Sequence, residues 1–218
     1  MSAEITDLSA EYYGFGSYVD RQRWLTYFRQ LELLLASEPK RVLEVGVGPG
    51  IVKAVLKDRG VDVVTVDVND SLGADYVADL RSLPAAVSEA SWDWVLCSRV
   101  LHHIPKSELT SVLAAMASLN ATKTLVTVPR EDLSVQLTVR RTAGGVKNVR
   151  ASGGSRIKNA LRRTSVIKSP GSGLWMLNGL HGLTSDEFAD LLRKSFEIVD
   201  DFILDDDPAH VFFVLRPA

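Results

Sequence analysis

Hydrophobic positions follow a helical period near the start of the chain and then give way to a short run typical of a strand. In RQRWLTYFRQLELLLAS, residues 21–37, apolar side chains recur every three or four positions, which predicts an amphipathic helix packed through that stripe. The stripe consists of Trp24, Phe28, Leu31 and Leu35. The apolar burst from Arg41 to Val45 then predicts a strand ending in glycines, and IVKAVLKDRG predicts a helix closed by Gly60.

The alternation of strand and helix patterns continues through the middle of the chain. The segments VDVVTVDV, ADYVADL, SWDWVLCS and TKTLVTVP have strand character, and PKSELTSVLAAMASL predicts a helix with Pro105 near its start. Alternating strands and helices are typical of a mostly parallel sheet covered by helices on both faces. The pattern therefore predicts the α/β class.

The C-terminal segment predicts one further helix and two strands. In LTSDEFADLLRKSF, Thr184 and Glu187 have the spacing of a capping box, which marks the start of a helix. The runs FEIVDDFIL and HVFFVLRP follow, separated by the acidic turn DDDPA, and the second run opens at His210. Because so short a connection joins them, we expect these two strands to pair antiparallel.

Charge is segregated along the chain although the formal net charge is only −2. The 53 residues from Leu133 to Ser185 hold nine of the 25 Lys and Arg residues and none of the 27 Asp and Glu residues. Periodicity fades between about 130 and 182, which predicts a basic, loop-rich insert in an acidic body. Within it, SRIKNALRRTSVI predicts a short basic amphipathic helix at 155–168.

Three interpretations of the basic insert stay open. It is a solvated positive loop, or it recognises an acceptor or partner that carries phosphate or carboxylate, or it contacts anionic lipid through residues 155–168. Nucleic acid is disfavoured as a partner because the insert has no interleaved aromatic residues and the acidic body would repel a long polyanion. No feature of the sequence indicates the oligomeric state.

Composition and targeting signals favour a globular cytoplasmic protein. A hydrophobic content of 46% and an aromatic content of 7% exclude wholesale disorder and fibrous repeats. The N-terminus lacks a signal-peptide pattern, and no apolar run approaches the ~20 residues that span a bilayer. Cys97 is the only cysteine, so it has no partner for an intramolecular disulfide and no metal-binding spacing.

The most informative segment is the glycine turn after the first predicted strand. RVLEVGVGPG places Glu44, Gly46, Gly48 and Gly50 in an E-x-G-x-G-x-G spacing. Glycines at a strand-to-helix turn allow positive φ and a close approach of the backbone to a ligand. The spacing differs from the G-x-G-x-x-G of dinucleotide-binding proteins, and there is no P-loop. A nucleoside ligand without a pyrophosphate therefore fits this turn best.

Carboxylates follow the next two strands. Asp67 ends the second predicted strand, at a distance along the chain where an acidic residue can bind both ribose hydroxyls. Asp79 follows ADYVA, where a carboxylate can accept from an adenine amino group. The carboxyl ends of three strands thus meet at one site that suits an adenosine.

Four segments in order resemble the motifs of class I S-adenosylmethionine-dependent methyltransferases, particularly the methyltransferase type 11-like group. They are VLEVGVGPG, VVTVDV, ADYVADLRSLP and WDWVLCSRVLHHIP, and the resemblance covers about residues 41–129. It implies a Rossmann-like doubly wound sheet of seven strands in the order 3-2-1-4-5-7-6, with strand 7 antiparallel, in a three-layer αβα sandwich. It implies S-adenosylmethionine as cofactor and S-adenosylhomocysteine as product.

The resemblance also assigns roles to individual residues. The three glycines Gly46, Gly48 and Gly50 would lie beneath the methionine part of the cofactor, and Glu44 would orient the loop or reach the amino group. Cofactor contacts are further implied for Asp67 at the ribose, its neighbour Val68, Asp79 at the adenine amino group, Leu80 at the adenine, and Ser98 and Arg99 at the floor of the transfer site. Tyr13, Tyr18 and Arg21 resemble residues of an N-terminal lid, and a cofactor contact is also implied for Tyr18.

Two adjacent histidines are the candidate catalytic residues. Methyl transfer is an in-line displacement, so the protein mainly aligns the acceptor with the methyl group. If the acceptor is a hydroxyl, a base is useful, and His102 or His103 just beyond the fourth strand has the required position. The alternative is that these histidines only pack at the strand end. His181 and His210 are weaker candidates.

These observations predict an enzyme that methylates a small-molecule or lipid- or saccharide-linked acceptor. The expected organisation is an N-terminal helical lid at 1–40 and a single domain at 41–218 that carries the basic insert. The alternative function is a non-catalytic module or scaffold that binds an adenosine ligand on the same fold. A nicotinamide oxidoreductase is disfavoured by the glycine spacing.

Overall fold

The chain divides into two units in the computed structural model. The described residues are 10–16, 18–131, 135–140, 146–151, 174–205 and 207–218. The first unit comprises Met1–Arg130 and Ser172–Ala218, and the second comprises Glu131–Gly171.

Seven strands of the first unit form one sheet and two strands of the second unit form a hairpin. The strands are β1 (Arg41–Val45), β2 (Asp62–Asp67), β3 (Tyr76–Val77), β4 (Trp92–Ser98), β5 (Ala121–Pro129), β6 (Val135–Arg140), β7 (Val146–Ala151), β8 (Phe196–Ile203) and β9 (His210–Pro217). The large sheet has the order β3-β2-β1-β4-β5-β9-β8. Its first five strands are parallel, and β9 runs antiparallel to both β5 and β8. This confirms the predicted strand order and the predicted antiparallel strand.

Five α-helices accompany these strands among the described residues, one before β1 and four between strands. They are α1 (Arg21–Leu35), α2 (Ile51–Asp58), α3 (Ala85–Ser88), α4 (Leu109–Ala117) and α5 (Ser185–Arg193). Single 3-10 turns occupy Ala10–Tyr13, Asp70–Leu72, Leu101–His103 and Lys106–Glu108. None of the helices in the described part of the chain has the length and apolar character needed to cross a bilayer.

The sheet is covered on both faces because its central strands are apolar on both sides. On one face, strand residues such as Leu43 and Val95 pack with α4 and α5 in one hydrophobic cluster. On the other face, neighbours such as Val42 and Trp94 pack with α1 and α2 in a second cluster. Successive side chains of a strand point to opposite faces, so two cores form from one set of strands. The predicted three-layer sandwich is confirmed.

Helix α1 is oriented differently from the prediction. Trp24 and Phe28 of the predicted packing stripe are 47% and 59% exposed. The buried face consists of Thr26, Gln30 and Leu34 instead. Two of these residues are polar, and each donates a hydrogen bond to a residue distant in sequence. Thr26 donates to Asp207 at 2.7 Å, and Gln30 donates to Ser98 at 2.6 Å. Buried polar groups with such partners can replace apolar contacts.

The predicted helix and strand boundaries follow their local signals. Gly60 has φ +78° directly after the end of α2, as the expected helix stop requires. Thr184 and Glu187 form both hydrogen bonds of a capping box at the start of α5. His210 opens β9, and its Nδ1 lies 3.0 Å from an Asp207 carboxylate oxygen.

The predicted insert is partly wrong in extent and in character. Within it, β6 and β7 pair antiparallel from Val135↔Ala151 to Arg140↔Val146, where the sequence analysis expected loops. The first unit resumes at Ser172, about ten residues before the predicted end of the insert. Trp175 and Leu177 already belong to its core. The predicted basic helix at 155–168 lies outside the described residues.

Candidate active site

A cavity of about 470 Å³ opens at the carboxyl ends of β1, β2 and β4. Its wall also includes residues that follow β3, residues of α1, and the short segment before α1. Ligands of open, mostly parallel α/β sheets bind at this edge, where the loops that follow the strands converge. The cavity is therefore the candidate active site.

The glycine turn after β1 forms one wall of the cavity. Gly46 and Gly48 line it with φ of +84° and +52°, conformations that favour glycine. A Cβ on Gly46 would lie 2.4 Å from Cγ2 of Val100. Gly50, the third predicted glycine, does not line the cavity but precedes α2 with φ +70°. The turn thus brings bare backbone to the cavity, as a close-fitting ligand needs.

Asp67 holds this turn in place from the end of β2. One of its carboxylate oxygens accepts from the backbone N–H of Val47 at 2.8 Å, and the other accepts from that of Asn69 at 3.0 Å. A carboxylate oxygen can accept more than one hydrogen bond. Because Asp67 also lines the cavity, it can bind the turn and ligand hydroxyls at the same time.

Glu44 is a buried carboxylate at the base of the cavity. Its side chain is 4% exposed, and its Oε2 has no hydrogen-bond partner among the described residues. Burial raises the pKa of Glu44 to about 8, and the charge and backbone of Lys53 oppose this shift only in part. An unsatisfied buried carboxylate oxygen beside a cavity is suited to a cationic ligand group such as an ammonium.

We expect Glu44→Gln to change how stability of the ligand-free protein depends on pH. The folded-state pKa of about 8 exceeds the ordinary 4.5, so the folded state keeps this proton between those pH values. Wild-type stability from this group is therefore full below pH ~4.5 and falls as pH rises toward ~8, by about 1.4 kcal/mol per pH unit. Urea unfolding at pH 5, 6.5 and 8 should show this fall in wild type but not in Glu44→Gln. The exposed Glu89→Gln is the control, and a parallel pH profile for wild type and Glu44→Gln would contradict the expectation.

Residues that follow β2 and β3 form the apolar side of the cavity. Leu80 is buried there, and Val68 contributes a partly exposed apolar surface. Asp79 lines the same side, where the Arg81 side chain binds both of its carboxylate oxygens and holds its pKa below the usual range. Each oxygen keeps acceptor capacity beyond this ion pair. This side of the cavity therefore combines an apolar surface with one hydrogen-bond acceptor held in place, the Asp79 carboxylate.

The end of β4 contributes Ser98 and Arg99. The Ser98 hydroxyl accepts from Nε2 of Gln30 at 2.6 Å and shares a 2.7 Å hydrogen bond with the hydroxyl of Thr127. These bonds fix Ser98 on the cavity wall. Arg99 follows with φ +59°, a left-handed conformation in a residue other than glycine. Both residues line the cavity, as the sequence analysis expected.

Aromatic residues before and within α1 close the cavity from the opposite side. Tyr13 and Tyr18 line it, with ring centroids 4.7 Å apart. The third predicted lid residue, Arg21, is exposed and does not line the cavity. Arg23, rather than Arg21, contacts these aromatic residues. Its guanidinium lies 4.1 Å from the centroid of the Tyr18 ring and donates to the Tyr18 carbonyl at 2.6 Å.

Two residues of α1 in the cavity wall are not among the residues predicted from the sequence. Tyr27 and Gln30 both line it, on a face of the helix other than the predicted packing stripe. One signal was available, because Thr26 and Gln30 are polar residues four positions apart with Leu34 four positions further on. That spacing puts them on one helical face.

The two predicted catalytic histidines occupy different environments. His103 lines the cavity, whereas His102 does not and is only 6% exposed. Burial holds the pKa of His102 well below its usual range, and the neighbouring His103 lowers it further. The two rings lie 3.9 Å apart between centroids. Of the two candidates, His103 is therefore the one that can reach a bound acceptor, and His102 packs behind it.

Comparisons with known proteins agree with this architecture. A ubiquinone biosynthesis O-methyltransferase of Paraburkholderia phymatum is 35% identical over 82 residues, which are 30% of this chain and 34% of that protein. Matches to the curated relatives span between 34% and 49% of their lengths.

Solved structures share the fold at low sequence identity. A magnesium protoporphyrin IX methyltransferase from Synechocystis PCC 6803 with bound S-adenosylhomocysteine has a TM-score of 0.62 and 15% identity, covering 95% of this chain and 92% of that one. The Burkholderia thailandensis 1,6-didemethyltoxoflavin-N1-methyltransferase has a TM-score of 0.55 and 18% identity, covering 91% and 82%. An Escherichia coli rRNA methylase also shares the fold at a TM-score of 0.52 and 17% identity, covering 91% and 66%.

The family follows from a match over more than half of the chain. Residues 19–151 match the methyltransferase domain family, a span that includes the glycine turn, Asp67, Asp79 and both histidines. The predicted class and the predicted fold are thereby confirmed. The chain belongs to the methyltransferase domain family.

Proposed function

We propose that this protein transfers the methyl group of S-adenosylmethionine to a small-molecule or lipid- or saccharide-linked acceptor and releases S-adenosylhomocysteine. The observation that carries the proposal is the buried Glu44 carboxylate, whose Oε2 has no partner among the described residues, beside the bare backbone of Gly46 and Gly48. That pair of features fits a ligand with an ammonium group and a tightly packed chain. Family membership supports the same conclusion.

The residues of the cavity fit each part of this cofactor. Glu44 would bind the ammonium group, Gly46 and Gly48 would pass beneath the amino acid chain, and Asp67 would accept from the ribose hydroxyls. Leu80 with Val68 would border the adenine, and Asp79 would accept from its amino group. When bound, S-adenosylmethionine supplies an electrophilic methyl group on a sulfonium sulfur, which keeps the electron pair of the broken carbon–sulfur bond.

The remaining cavity residues would position the acceptor. Tyr27, Arg99 and His103 line the part of the wall formed by α1 and the segment after β4. In-line transfer needs the acceptor atom held at near-attack distance from the methyl group, and a closed cavity wall supplies that alignment. For a hydroxyl acceptor, His103 would take the proton as the oxygen attacks.

The position of His103 favours a hydroxyl group as the methyl acceptor. The Paraburkholderia phymatum relative is named an O-methyltransferase and the Burkholderia thailandensis structure an N1-methyltransferase. A neutral amine needs no base, whereas a hydroxyl does. Because an imidazole lines the cavity, we propose oxygen as the acceptor atom.

Calorimetry and a labelled-methyl assay test the proposal in two steps. S-adenosylhomocysteine should bind with a micromolar Kd, and label from S-adenosylmethionine should enter a lipid, saccharide or small-molecule fraction of a cell extract. The absence of binding would overturn the proposal. Binding without transfer to any fraction would favour the alternative, a non-catalytic adenosine-ligand module.

We expect His103→Gln to lower the rate of label transfer about 100-fold or more, because general base catalysis contributes factors of that size. The Kd for S-adenosylhomocysteine should change less than threefold, since the proposed partner of His103 is the acceptor. His181→Gln, at an exposed histidine outside the cavity, is the matched control. Equal rates for wild type and His103→Gln would show that positioning alone suffices.

Three further statements stay predictions. They are the cytoplasmic location, the low preference for nucleic acid, and the membrane contact through 155–168. The rRNA methylase with the same fold means that the architecture alone does not select among acceptors. A nucleic-acid fraction added to the assay above tests the second of these statements directly.

A further inference from the structure

Arg99 is a cavity-lining cation whose guanidinium forms no direct ion pair among the described residues. Its backbone N–H donates to the Thr127 carbonyl, but its guanidinium takes part in none of the hydrogen bonds or ion pairs of the described chain. The other arginine of the cavity, Arg81, is paired with both Asp79 and Glu108. A half-buried guanidinium normally has an anionic partner, because its desolvation is otherwise uncompensated.

The backbone conformation of Arg99 lowers the stability of the fold. Its φ of +59° lies in the left-handed region, where residues with a Cβ are disfavoured relative to glycine. Strained residues of this kind persist where the surrounding structure enforces them, and they cluster at ligand-binding sites. The conformation carries the side chain of Arg99 to the cavity wall.

The charge of Arg99 helps to lower the pKa of Asp207, but this carboxylate is already bound to other partners. Asp207 is buried, and its Oδ2 accepts from the Thr26 hydroxyl at 2.7 Å and lies 3.0 Å from Nδ1 of His210. Burial holds the pKa values of His102 and His210 below their usual range, and the charge of Arg99 lowers both further. The surroundings of Arg99 therefore contain neutral imidazoles and one shared carboxylate.

Arg99 follows β4, whereas the carboxylates assigned to the cofactor belong to β1, β2 and the segment after β3. The cations that act on Glu44 and Asp79 are Lys53 and Arg81, respectively. The positive charge of Arg99 thus lies on the same segment of the cavity wall as His103, where we place the acceptor.

We propose that Arg99 binds an anionic group of the methyl acceptor, a carboxylate or a phosphate. The inference rests on the proposed function and narrows it to acidic acceptors. A guanidinium binds either oxyanion through two parallel hydrogen bonds, which fix orientation as well as distance. Anchoring at Arg99 would hold a second group of the acceptor, its hydroxyl, near His103 on the same wall.

Two pairs of probes, each an acid and a related neutral molecule, test this inference. Full-length protein saturated with S-adenosylhomocysteine is titrated with 4-hydroxybenzoate and 4-hydroxybenzamide, and with phenyl phosphate and phenol, while ligand binding is followed by NMR. We expect at least tenfold tighter binding of each acid than of its neutral partner. In Arg99→Met the preference for acids over their neutral partners should fall below twofold. In Arg99→Lys it should be retained in part, since lysine keeps the positive charge but cannot form the two parallel hydrogen bonds of a guanidinium.

Two further variants separate binding from folding. Arg216→Met removes an exposed arginine that pairs with Glu197 on β8, and it should leave the preference unchanged. Arg99→Gly removes the guanidinium and also relieves the left-handed strain, so we expect a higher melting temperature together with loss of the preference. Loss of the preference in a more stable protein would exclude unfolding as its cause.

The outcomes distinguish this inference from the proposed function. If wild type fails to bind S-adenosylhomocysteine, the proposed function falls. If it binds S-adenosylhomocysteine but does not prefer acids to their neutral partners, only the role of Arg99 is overturned. If Arg99→Met weakens S-adenosylhomocysteine tenfold but leaves 5′-methylthioadenosine unaffected, the anion is the carboxylate of the cofactor and the acceptor assignment is wrong.

Discussion

Asp67→Ala is expected to weaken S-adenosylhomocysteine binding by at least 100-fold. The substitution removes the acceptors for the backbone N–H groups of Val47 and Asn69, so the glycine turn keeps only its backbone bond from Gly46 to Val66 as an anchor to β2. It also removes the proposed ribose acceptor. Hydrogen bonds to a charged group contribute about 1.5–3 kcal/mol each, so the loss of two of them accounts for a factor of this size.

Calorimetry with two ligands checks this expectation. S-adenosylhomocysteine and 5′-methylthioadenosine share the ribose, so Asp67→Ala should weaken both by similar factors. Asp70→Ala, at an exposed aspartate three residues further on, is the control and should bind both ligands like wild type. A loss below threefold for Asp67→Ala, in protein that still unfolds cooperatively, would contradict the role of Asp67.

The strand-borne half of the site could be predicted because its signals are local. Parallel strands end at one edge of a sheet, so Glu44, Asp67 and Asp79 converge once the strands are identified. The glycine spacing marks the turn that approaches the ligand. The structure places all three carboxylates, together with Gly46 and Gly48, around the same cavity.

The contribution of α1 could not be predicted from its hydrophobic pattern. Its buried polar residues are satisfied by distant partners, Thr26 by Asp207 and Gln30 by Ser98, which are 181 and 68 positions away. Periodicity reports only which residues share a helical face. Which face is buried depended here on tertiary hydrogen bonds, and the apolar stripe with Trp24 was left partly exposed.

The distinction between His102 and His103 is equally beyond sequence reasoning. Both lie in one short 3-10 turn, Leu101–His103, so their side chains diverge within a single turn. The direction of that turn depends on packing against the core, where Leu101 is buried. The hairpin of β6 and β7 is different, since the Gly144–Gly145 pair between two alternating segments is a turn signal in the sequence itself.

Gly46→Ala is expected to lower the free energy of unfolding by about 2–4 kcal/mol and to reduce S-adenosylhomocysteine binding. Two costs add. A Cβ at φ +84° is disfavoured by about 1 kcal/mol, and the same Cβ would lie 2.4 Å from Cγ2 of Val100, an overlap whose relief costs about 1–3 kcal/mol. Since both residues line the cavity, relief of the clash must move one of its walls.

Two companion variants separate the backbone cost from the clash. Gly60→Ala has a similar φ of +78° but open space around its Cβ, so it should lose only the ~1 kcal/mol of the backbone. Gly46→Ala combined with Val100→Ala should recover part of the stability lost in Gly46→Ala and part of the affinity for S-adenosylhomocysteine. Urea unfolding and calorimetry measure both quantities. If Gly46→Ala and Gly60→Ala lowered the free energy of unfolding equally, the glycine turn would accommodate the added Cβ without strain. The close packing of this turn against Val100 would then not be what shapes the cofactor site.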